Sequence, residues 1–134
     1  TPGASEWFVG GAVAYSAAVK VANGVAQSVI DEHGTVASET ALAMATAIRE
    51  RTGADAGIGI TGVAGPSDVE GKPVGTFHIA LDFMGKTRVV DSHWSTTRLE
   101  LKRRAVMDAL YILWRALEDR EESATAGVGG VGRA

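Results

Sequence analysis

The sequence contains no cysteine and only three histidines. A chain without thiols forms no disulfide and no zinc site with thiolate ligands. His33, His78 and His93 are widely separated, so no pair of them has the short spacing of a metal-binding motif. We therefore expect neither a metal nor another cofactor.

Basic runs and long apolar runs are also missing. The formal charge is -3 at pH 7, which argues against a nucleic-acid groove or an anionic membrane surface as the main partner. No apolar run approaches the roughly 18 residues of a membrane span. The opening TPGASEW lacks the basic and apolar regions of a secretion signal. We expect a cytoplasmic protein that binds a small molecule or another protein.

The composition that remains suits one compact domain. With 46% apolar residues among 134, the chain is long enough to enclose a hydrophobic core. Apolar, β-rich runs predict strands at residues 7–15, 56–60, 75–82 and 87–94, the last two forming an antiparallel hairpin. Because helical segments alternate with the earlier strands, we predict an α/β fold, a two-layer or three-layer sandwich with helices on a mixed sheet.

Helices are predicted before and after the central strands. Residues 16–25 and 28–32 indicate two short helices. A stronger pattern at 39–51 predicts a helix with Ser38 as its N-cap and Gly53 as its stop.

The longest predicted helix covers residues 98–118. Thr97 and Glu100 have the spacing of a capping box at its start. Its predicted buried stripe consists of Leu101, Val106, Leu110, Leu113 and Leu117.

A glycine-rich loop, TGVAGP at Thr61 to Pro66, follows the predicted strand at 56–60. Glycine permits backbone conformations closed to other residues, and Pro66 has no N–H for a ladder, so the loop predicts a tight turn. Backbone N–H groups and a hydroxyl at the end of a buried strand suit an anion such as phosphate. A plain connecting turn explains the same composition equally well.

Three residues near the N-terminus have the chemistry of a nucleophilic site: Ser5, Tyr15 and Lys20. A serine hydroxyl attacks a carbonyl when a base takes its proton, and a lysine of lowered pKa is such a base. A tyrosine relays the proton. The ordinary interpretation is a turn serine, a strand tyrosine and a solvated lysine, and spacing alone favours it.

The order of several motifs gives a family resemblance. PGAS at Pro2 to Ser5 is similar to a PGSS segment, and GGAVAYSAAVK at Gly10 to Lys20 to GGxVxYSNxxK. HGTV at His33 to Val36, TGVAGP and KPVGTFHIAL match further blocks in the same order. Over about 115 residues the chain thus resembles the CinA C-terminal domain family, the nicotinamide mononucleotide deamidases.

The resemblance implies metal-free hydrolysis of the carboxamide of nicotinamide mononucleotide to the acid and ammonia. By position, Ser5 resembles the family's nucleophile, and Tyr15 and Lys20 resemble the residues that activate it. Further matched positions are expected to bind the substrate: Thr61, Gly62, Gly65, Arg98 and Lys102.

Some positions depart from the family pattern. The family's GDRxxxR segment is TTRLELK here, so Arg98 matches the first arginine and Lys102 replaces the second. A lysine does not reproduce the planar fork of arginine on a phosphate. Ala17 and Ala37 stand where the family has asparagine and serine. Two polar groups of the family's pattern are therefore missing.

The family also has a helix, a strand and an ESCTGG motif before its PGSS segment. A similar run, ESATAG at Glu122 to Gly127, stands near the end of this chain. We therefore predict a CinA-like α/β domain at residues 1–120 and a Gly-rich tail at 121–134. The tail is either a disordered or loosely docked terminus or a circularly permuted copy of the motif. In the second case Ser123, Thr125 and Gly127 bind substrate.

Two functions stay open from the sequence. One is an amidohydrolase acting on nicotinamide mononucleotide through Ser5. The other is a catalytically silent relative that binds a nucleotide or forms oligomers, suggested by Ala17, Ala37 and Lys102. In either case we expect a small-molecule nucleotide as ligand, no nucleic acid or membrane as partner, and a homo-oligomer.

Overall fold

The regular structure consists of helices around one small sheet. A computed structural model describes residues 1–128. A 3-10 turn at Ala4–Glu6 precedes α1 (Ala17–Ala22), α2 (Gln27–His33) and α3 (Ser38–Thr52). The strands β1 (Ala56–Gly62), β2 (Thr76–Phe83) and β3 (Lys86–His93) follow, and the long helix α4 (Arg98–Val128) comes last.

The central strand of the sheet is β2, which pairs antiparallel with β1 on one side and β3 on the other. Ile79 lies opposite Ile60 of β1 and opposite Val90 of β3. Side chains of a strand point alternately to the two faces of the sheet. One face of β2 therefore carries Phe77, Ile79, Leu81 and Phe83, and the other carries His78, Ala80 and Asp82.

The first of these faces packs against α4 and forms the larger hydrophobic core. Leu101, Ala109 and Ile112 of α4 are buried against the four large side chains of β2. Ile79 is fully buried there, and burial of a side chain of this size contributes about 1.5–3 kcal/mol. This core thus combines the large side chains of β2 with a face of α4 that carries both large residues, Leu101 and Ile112, and the small Ala109.

Helix α3 covers the opposite face at short range. Gly57 and Gly59 of β1 point towards it, and a Cβ on either glycine would collide with the backbone of Ala45 or Ala41. Ala41, Ala45 and Ala80 are completely buried between helix and sheet. The layers are therefore α4, sheet and α3, which confirms the predicted α/β sandwich in its three-layer form.

A buried carboxylate joins α3 to the hairpin turn. Asp82, 2% exposed, accepts hydrogen bonds from Thr46 Oγ1 at 2.8 Å and Gly85 N at 3.0 Å. Its Oδ1 also lies 2.9 Å from Nε of Arg49. Burial by itself raises the pKa of Asp82, but the bonds from Thr46, Arg49 and Gly85 outweigh it and hold the pKa below its usual value.

The predicted N-cap of α3 is wrong by one residue. Ala37 occupies the cap position without a side-chain bond, and Ser38 begins the helix. The Ser38 hydroxyl donates instead to Oδ1 of Asp91 at 2.7 Å and lies 3.2 Å from Nδ1 of His78. The hydroxyl that was expected to cap the helix thus contacts β2 and β3 instead. Gly53, with φ of 70°, ends α3 as predicted.

The predicted strand at 7–15 does not form, so the described sheet contains antiparallel pairs only and is not mixed. Trp7, Phe8 and Val13 are 84%, 71% and 81% exposed. Strand propensity reflects the fit of side chains to a half-buried pleated surface. No strand within residues 1–128 offers this segment such a surface, and Gly10 and Gly11 weaken it further as an isolated strand.

Helix α4 begins as predicted and ends later. Thr97 Oγ1 accepts a hydrogen bond from Glu100 N at 3.3 Å, which is the expected cap. The predicted buried stripe is correct for Leu101 and partly for Leu113, whereas Val106, Leu110 and Leu117 are 52%, 53% and 43% exposed. The sheet instead contacts the neighbouring helix face that carries Ala109 and Ile112. Within the described residues, no helix is long and apolar enough to cross a membrane.

Candidate ligand cleft and the predicted catalytic residues

A cleft of about 360 Å³ lies between the last residues of β1, the first residues of β2 and the start of α4. Strand β1 continues two residues beyond its predicted end, so Thr61 and Gly62 belong to the strand. The β1–β2 loop, residues 63–75, then forms one wall. Apolar side chains line much of the cleft: Ile60, Val63, Val69, Phe77, Leu101 and Ala105.

Two cationic side chains border this cleft. Arg98 and Lys102 lie four residues apart, about one turn, at the start of α4 and both belong to the lining. Arg98 Nη1 donates a hydrogen bond of 2.9 Å to the carbonyl oxygen of Gly65, which holds the β1–β2 loop against the helix. The start of a helix also carries partial positive charge. This end of the cleft therefore suits an anionic group such as a phosphate.

A second cavity of about 400 Å³ adjoins the first and shares five lining residues with it. The shared residues are Tyr15, Ile60, Thr61, Gly62 and Val69. Lys20 and Met44 line only the second cavity. A ligand spanning both would place an anionic end near Arg98 and its other end near Lys20.

Lys20 is buried, with 4% of its surface exposed, so its interpretation as a solvated helix residue is wrong. Its Nζ donates to the carbonyl oxygens of Ala14 at 2.6 Å and Tyr15 at 3.3 Å. Burial lowers the pKa of Lys20, while the negative charge of Glu70 acts in the opposite direction. A lysine of lowered pKa beside a cavity has the properties of a general base.

Tyr15 and Thr61 separate the two cavities. The Tyr15 side chain is largely exposed and lines both. Thr61 is buried, and its hydroxyl donates to the carbonyl oxygen of Thr35 at 2.6 Å. Gly62 faces Phe77 so closely that a Cβ would collide with it, and Gly65 has φ of 88°. These four predicted residues thus lie together around the cleft, along with Lys20, Arg98 and Lys102.

The structure does not bring Ser5, the predicted nucleophile, to the cleft. It lies in the exposed 3-10 turn and lines neither cavity. The residues that follow it are exposed and make few packing contacts; Gly10, for example, has no heavy atom within 4 Å of a Cβ position.

Comparison with known proteins identifies the family. Residues 1–117 match the family model described as the CinA C-terminal domain. The chain belongs to this family. A CinA-like protein of Frankia casuarinae is 41% identical over 131 residues, covering 96% of this chain and 30% of the relative. One from Gemmatimonas aurantiaca is 43% identical over 117 residues, 86% of this chain and 27% of the relative.

Solved structures agree with this CinA domain in fold. The competence or damage-inducible protein from Enterobacter asburiae superposes with a TM-score of 0.83 at 28% identity, covering 87% of this chain and 75% of the other. A CinA superfamily protein from Enterobacter cloacae gives a TM-score of 0.82 at 29% identity, covering 87% and 70%. The chain spans less than a third of the length of the curated relatives that it matches.

The ESCTGG-like run of this CinA domain lies on the last turns of α4, which continues past the predicted boundary at residue 120 to Val128. The division of the chain at that residue stays a prediction. Ser123 and Thr125 donate their hydroxyls to carbonyl oxygens of the same helix, at 2.8 Å and 2.9 Å. Neither Ser123 nor Thr125 lines the two cavities. Residues 129–134 of the predicted tail lie outside the described residues. A role of this run in substrate binding stays a prediction.

Glu70, in the β1–β2 loop of this CinA domain, was not indicated by the sequence. Its carboxylate accepts hydrogen bonds from Thr35 N at 2.9 and 3.0 Å, Thr35 Oγ1 at 2.7 Å and Val36 N at 3.3 Å. Burial raises the pKa of Glu70, but the bonds from Thr35 and Val36 outweigh it and lower the pKa. An acidic residue in a polar loop gives no sequence signal for such contacts.

Proposed function

We propose that this CinA domain hydrolyses the carboxamide of nicotinamide mononucleotide to the carboxylic acid and ammonia. The observation that carries the proposal is the position of Lys20, a buried lysine of lowered pKa that lines the cavity adjoining the cleft of Arg98 and Lys102. A mononucleotide has the matching chemistry, with a phosphate at one end and a pyridine carboxamide at the other.

In the proposed reaction, Ser5 Oγ attacks the carboxamide carbon while neutral Lys20 takes its proton, with Tyr15 assisting the transfer. Backbone N–H groups stabilise the oxyanion of the tetrahedral intermediate. The C–N bond then breaks, the proton passes from Lys20 to the departing nitrogen, and ammonia leaves an ester on Ser5. Water hydrolyses the ester to the acid and restores the serine hydroxyl.

This sequence of steps requires Ser5 to move from its exposed turn into the cleft. The segment before Tyr15 is exposed over most of its length, so a small loss of packing accompanies such a movement. Binding energy from the phosphate end of the substrate is available to offset the ordering of the segment.

The test is incubation with nicotinamide mononucleotide and measurement of released ammonia. We expect activity that is lost in Ser5→Ala and in Lys20→Met, which keeps the length of the buried side chain and removes its amine. The proposal is rejected if the unaltered protein releases no more ammonia than Ser5→Ala does.

A second candidate function is nucleotide binding without turnover. The position of Ser5 outside both cavities favours it. Calorimetric titration with nicotinamide mononucleotide separates the two functions, since saturable binding without ammonia release supports the silent module. Ammonia release excludes it.

Self-association belongs to the same proposal. The exposed apolar residues of α4, among them Leu110, Trp114 and Leu117, are the surface through which we expect copies of the chain to associate. Sedimentation of the protein and of Leu110→Glu tests this, because the charge prevents burial of that surface. A cytoplasmic location stays a prediction.

A further inference from the structure

Glu70 joins two parts of the chain that are distant in sequence. Thr35 and Val36 belong to the connection between α2 and α3, whereas Glu70 lies 35 residues after Thr35 in the β1–β2 loop. Two backbone N–H groups and one hydroxyl converge on its carboxylate. Hydrogen bonds to a charged acceptor are stronger than those between neutral groups.

The backbone on both sides of this contact has an unusual conformation. Glu70 has φ of 51°, in the left-handed region that non-glycine residues rarely adopt. Glu70 and Gly71 form the two-residue turn between Val69 and Lys72, whose backbones bond to each other, and such a turn requires positive φ at both of its residues. On the other side, Gly34 has φ of 83°, and a Cβ there would collide with the Glu70 carboxylate. The turn thus directs Glu70 towards the end of α2, and glycine at position 34 leaves room for its carboxylate.

The loop held by Glu70 is a wall of the ligand cleft. Gly65, Ser67 and Val69 line the first cavity, and Val69 also lines the second. Arg98 holds the loop at Gly65 from the α4 side. Glu70 holds it from the α2–α3 side. Lys72 Nζ adds a longer bond of 3.5 Å to the carbonyl oxygen of His33 on the same side. The wall is thus held from both sides, by Arg98 on one and mainly by Glu70 on the other.

We propose that Glu70 is a positioning residue, whose carboxylate, bound to the Thr35–Val36 backbone, holds the β1–β2 loop as the cleft wall. The catalytic consequence rests on the proposed deamidase function. The structural part does not depend on it.

Charges near Lys20 make the role distinguishable from simple packing. The negative charge of Glu70 raises the pKa of Lys20 against the effect of burial, and Lys72 Nζ lies 3.9 Å from Glu70 Oε2. The Lys20 ammonium otherwise contacts the carbonyl oxygens of Ala14 and Tyr15. Removing the Glu70 charge therefore lowers the pKa of Lys20 further. A residue that acted through packing alone would leave this pKa unchanged.

The decisive variant is Glu70→Gln, which keeps the size of the side chain but turns an NH2 group towards N–H donors. Asp68→Asn is the matched control. It removes a carboxylate from the same loop, and the amide oxygen still accepts the bond that Val74 N donates to Asp68 Oδ1 at 3.0 Å. Thr35→Val, which removes one of the bonds to Glu70, is a graded second variant.

Two measurements by nuclear magnetic resonance test the proposal without reference to activity. In Glu70→Gln we expect amide exchange of residues 67–75 to be about tenfold faster or more and the titration midpoint of Lys20 to fall. Thr35→Val is expected to accelerate exchange less. Exchange rates and a Lys20 midpoint equal to those of Asp68→Asn would overturn the proposal.

Kinetic measurements on Glu70→Gln test whether the position of the loop matters for the reaction. If the protein is a deamidase, we expect Glu70→Gln to raise KM about tenfold, a loss of about 1.4 kcal/mol, and to shift the rising limb of the pH profile to lower pH. If the unaltered protein releases no ammonia, the proposed function fails while the two resonance measurements still decide the role of Glu70. Unchanged kinetics together with unchanged exchange would reject that role alone.

Discussion

Two regions are rich in apolar, strand-forming residues: the central region at residues 56–93 and the N-terminal segment at residues 1–15. Only the central region forms strands. The central region forms a three-stranded sheet with buried Ile79 and Leu81. The N-terminal segment stays irregular, with Trp7 and Val13 exposed. The central strands have neighbours close in sequence, whereas the N-terminal segment has none. Strand propensity is thus realised only where a pairing partner exists.

The largest stability effect should come from the buried carboxylate of the central region. Asp82→Ala removes the buried carboxylate from Nε of Arg49 and removes the acceptor of Thr46 and Gly85. We expect the free energy of unfolding to fall by about 3–5 kcal/mol, measured by urea denaturation. The exposed Asp31→Ala is the control and should change stability little. Equal effects of the two substitutions would contradict this account of the buried carboxylate.

Two glycine substitutions compare the regions directly. Gly59→Ala places a Cβ against the backbone of Ala41 and Ala45, so we expect a loss of about 1–3 kcal/mol. Gly10→Ala meets no atom within 4 Å, so we expect less than about 0.5 kcal/mol. Thermal unfolding of both variants checks the difference. A loss of stability in Gly10→Ala as large as in Gly59→Ala would mean that the N-terminal segment is packed after all.

Acid should weaken the central region through the same carboxylate. The pKa of Asp82 is lower in the folded protein than its usual value, so its contribution is present above the unfolded pKa of about 3.9 and is lost as the pH falls through the folded pKa. Urea denaturation at pH values between about 3 and 6, around that pKa, should show a free energy of unfolding that decreases as the pH falls. The fall should be smaller in Asp82→Ala, and a fall of equal size would place the acid sensitivity elsewhere.

The smallest effect is expected for the aromatic residues of the N-terminal segment. Trp7→Ser removes a side chain that is 84% exposed, so the free energy of unfolding should change by no more than about 0.5 kcal/mol. Urea denaturation measures it. A change above about 2 kcal/mol, the scale of a lost core side chain, would show that Trp7 is buried in solution and would remove the contrast between the two regions.

Much of the fold follows from local sequence patterns. The hairpin of β2 and β3, the stop of α3 at Gly53 and the cap of α4 at Thr97 each depend on residues a few positions apart. The errors concern side chains whose partners are distant. Ser38 bonds to Asp91, and the packed face of α4 is chosen by the large residues of β2. A helical stripe of leucines predicts a helix but does not say which of its faces meets the sheet.

The candidate site divides in the same way. Motif order indicated Tyr15, Lys20, Thr61, Gly62, Gly65, Arg98 and Lys102, and these residues line the two adjoining cavities. Ser5, indicated by the same motifs, lies outside them. Glu70 was not indicated, because its role depends on the backbone of Thr35 and Val36 more than thirty positions away.

The sequence by itself determined the α/β class, most element positions and the residue types available for chemistry, because these depend on composition and on short-range periodicity. The tertiary structure alone decided that Lys20 is buried with a lowered pKa, that Asp82 is held by α3, and that the β1–β2 loop is fixed by Arg98 and Glu70. Burial and charge at one residue are set by groups from other elements. No local pattern in the chain encodes them.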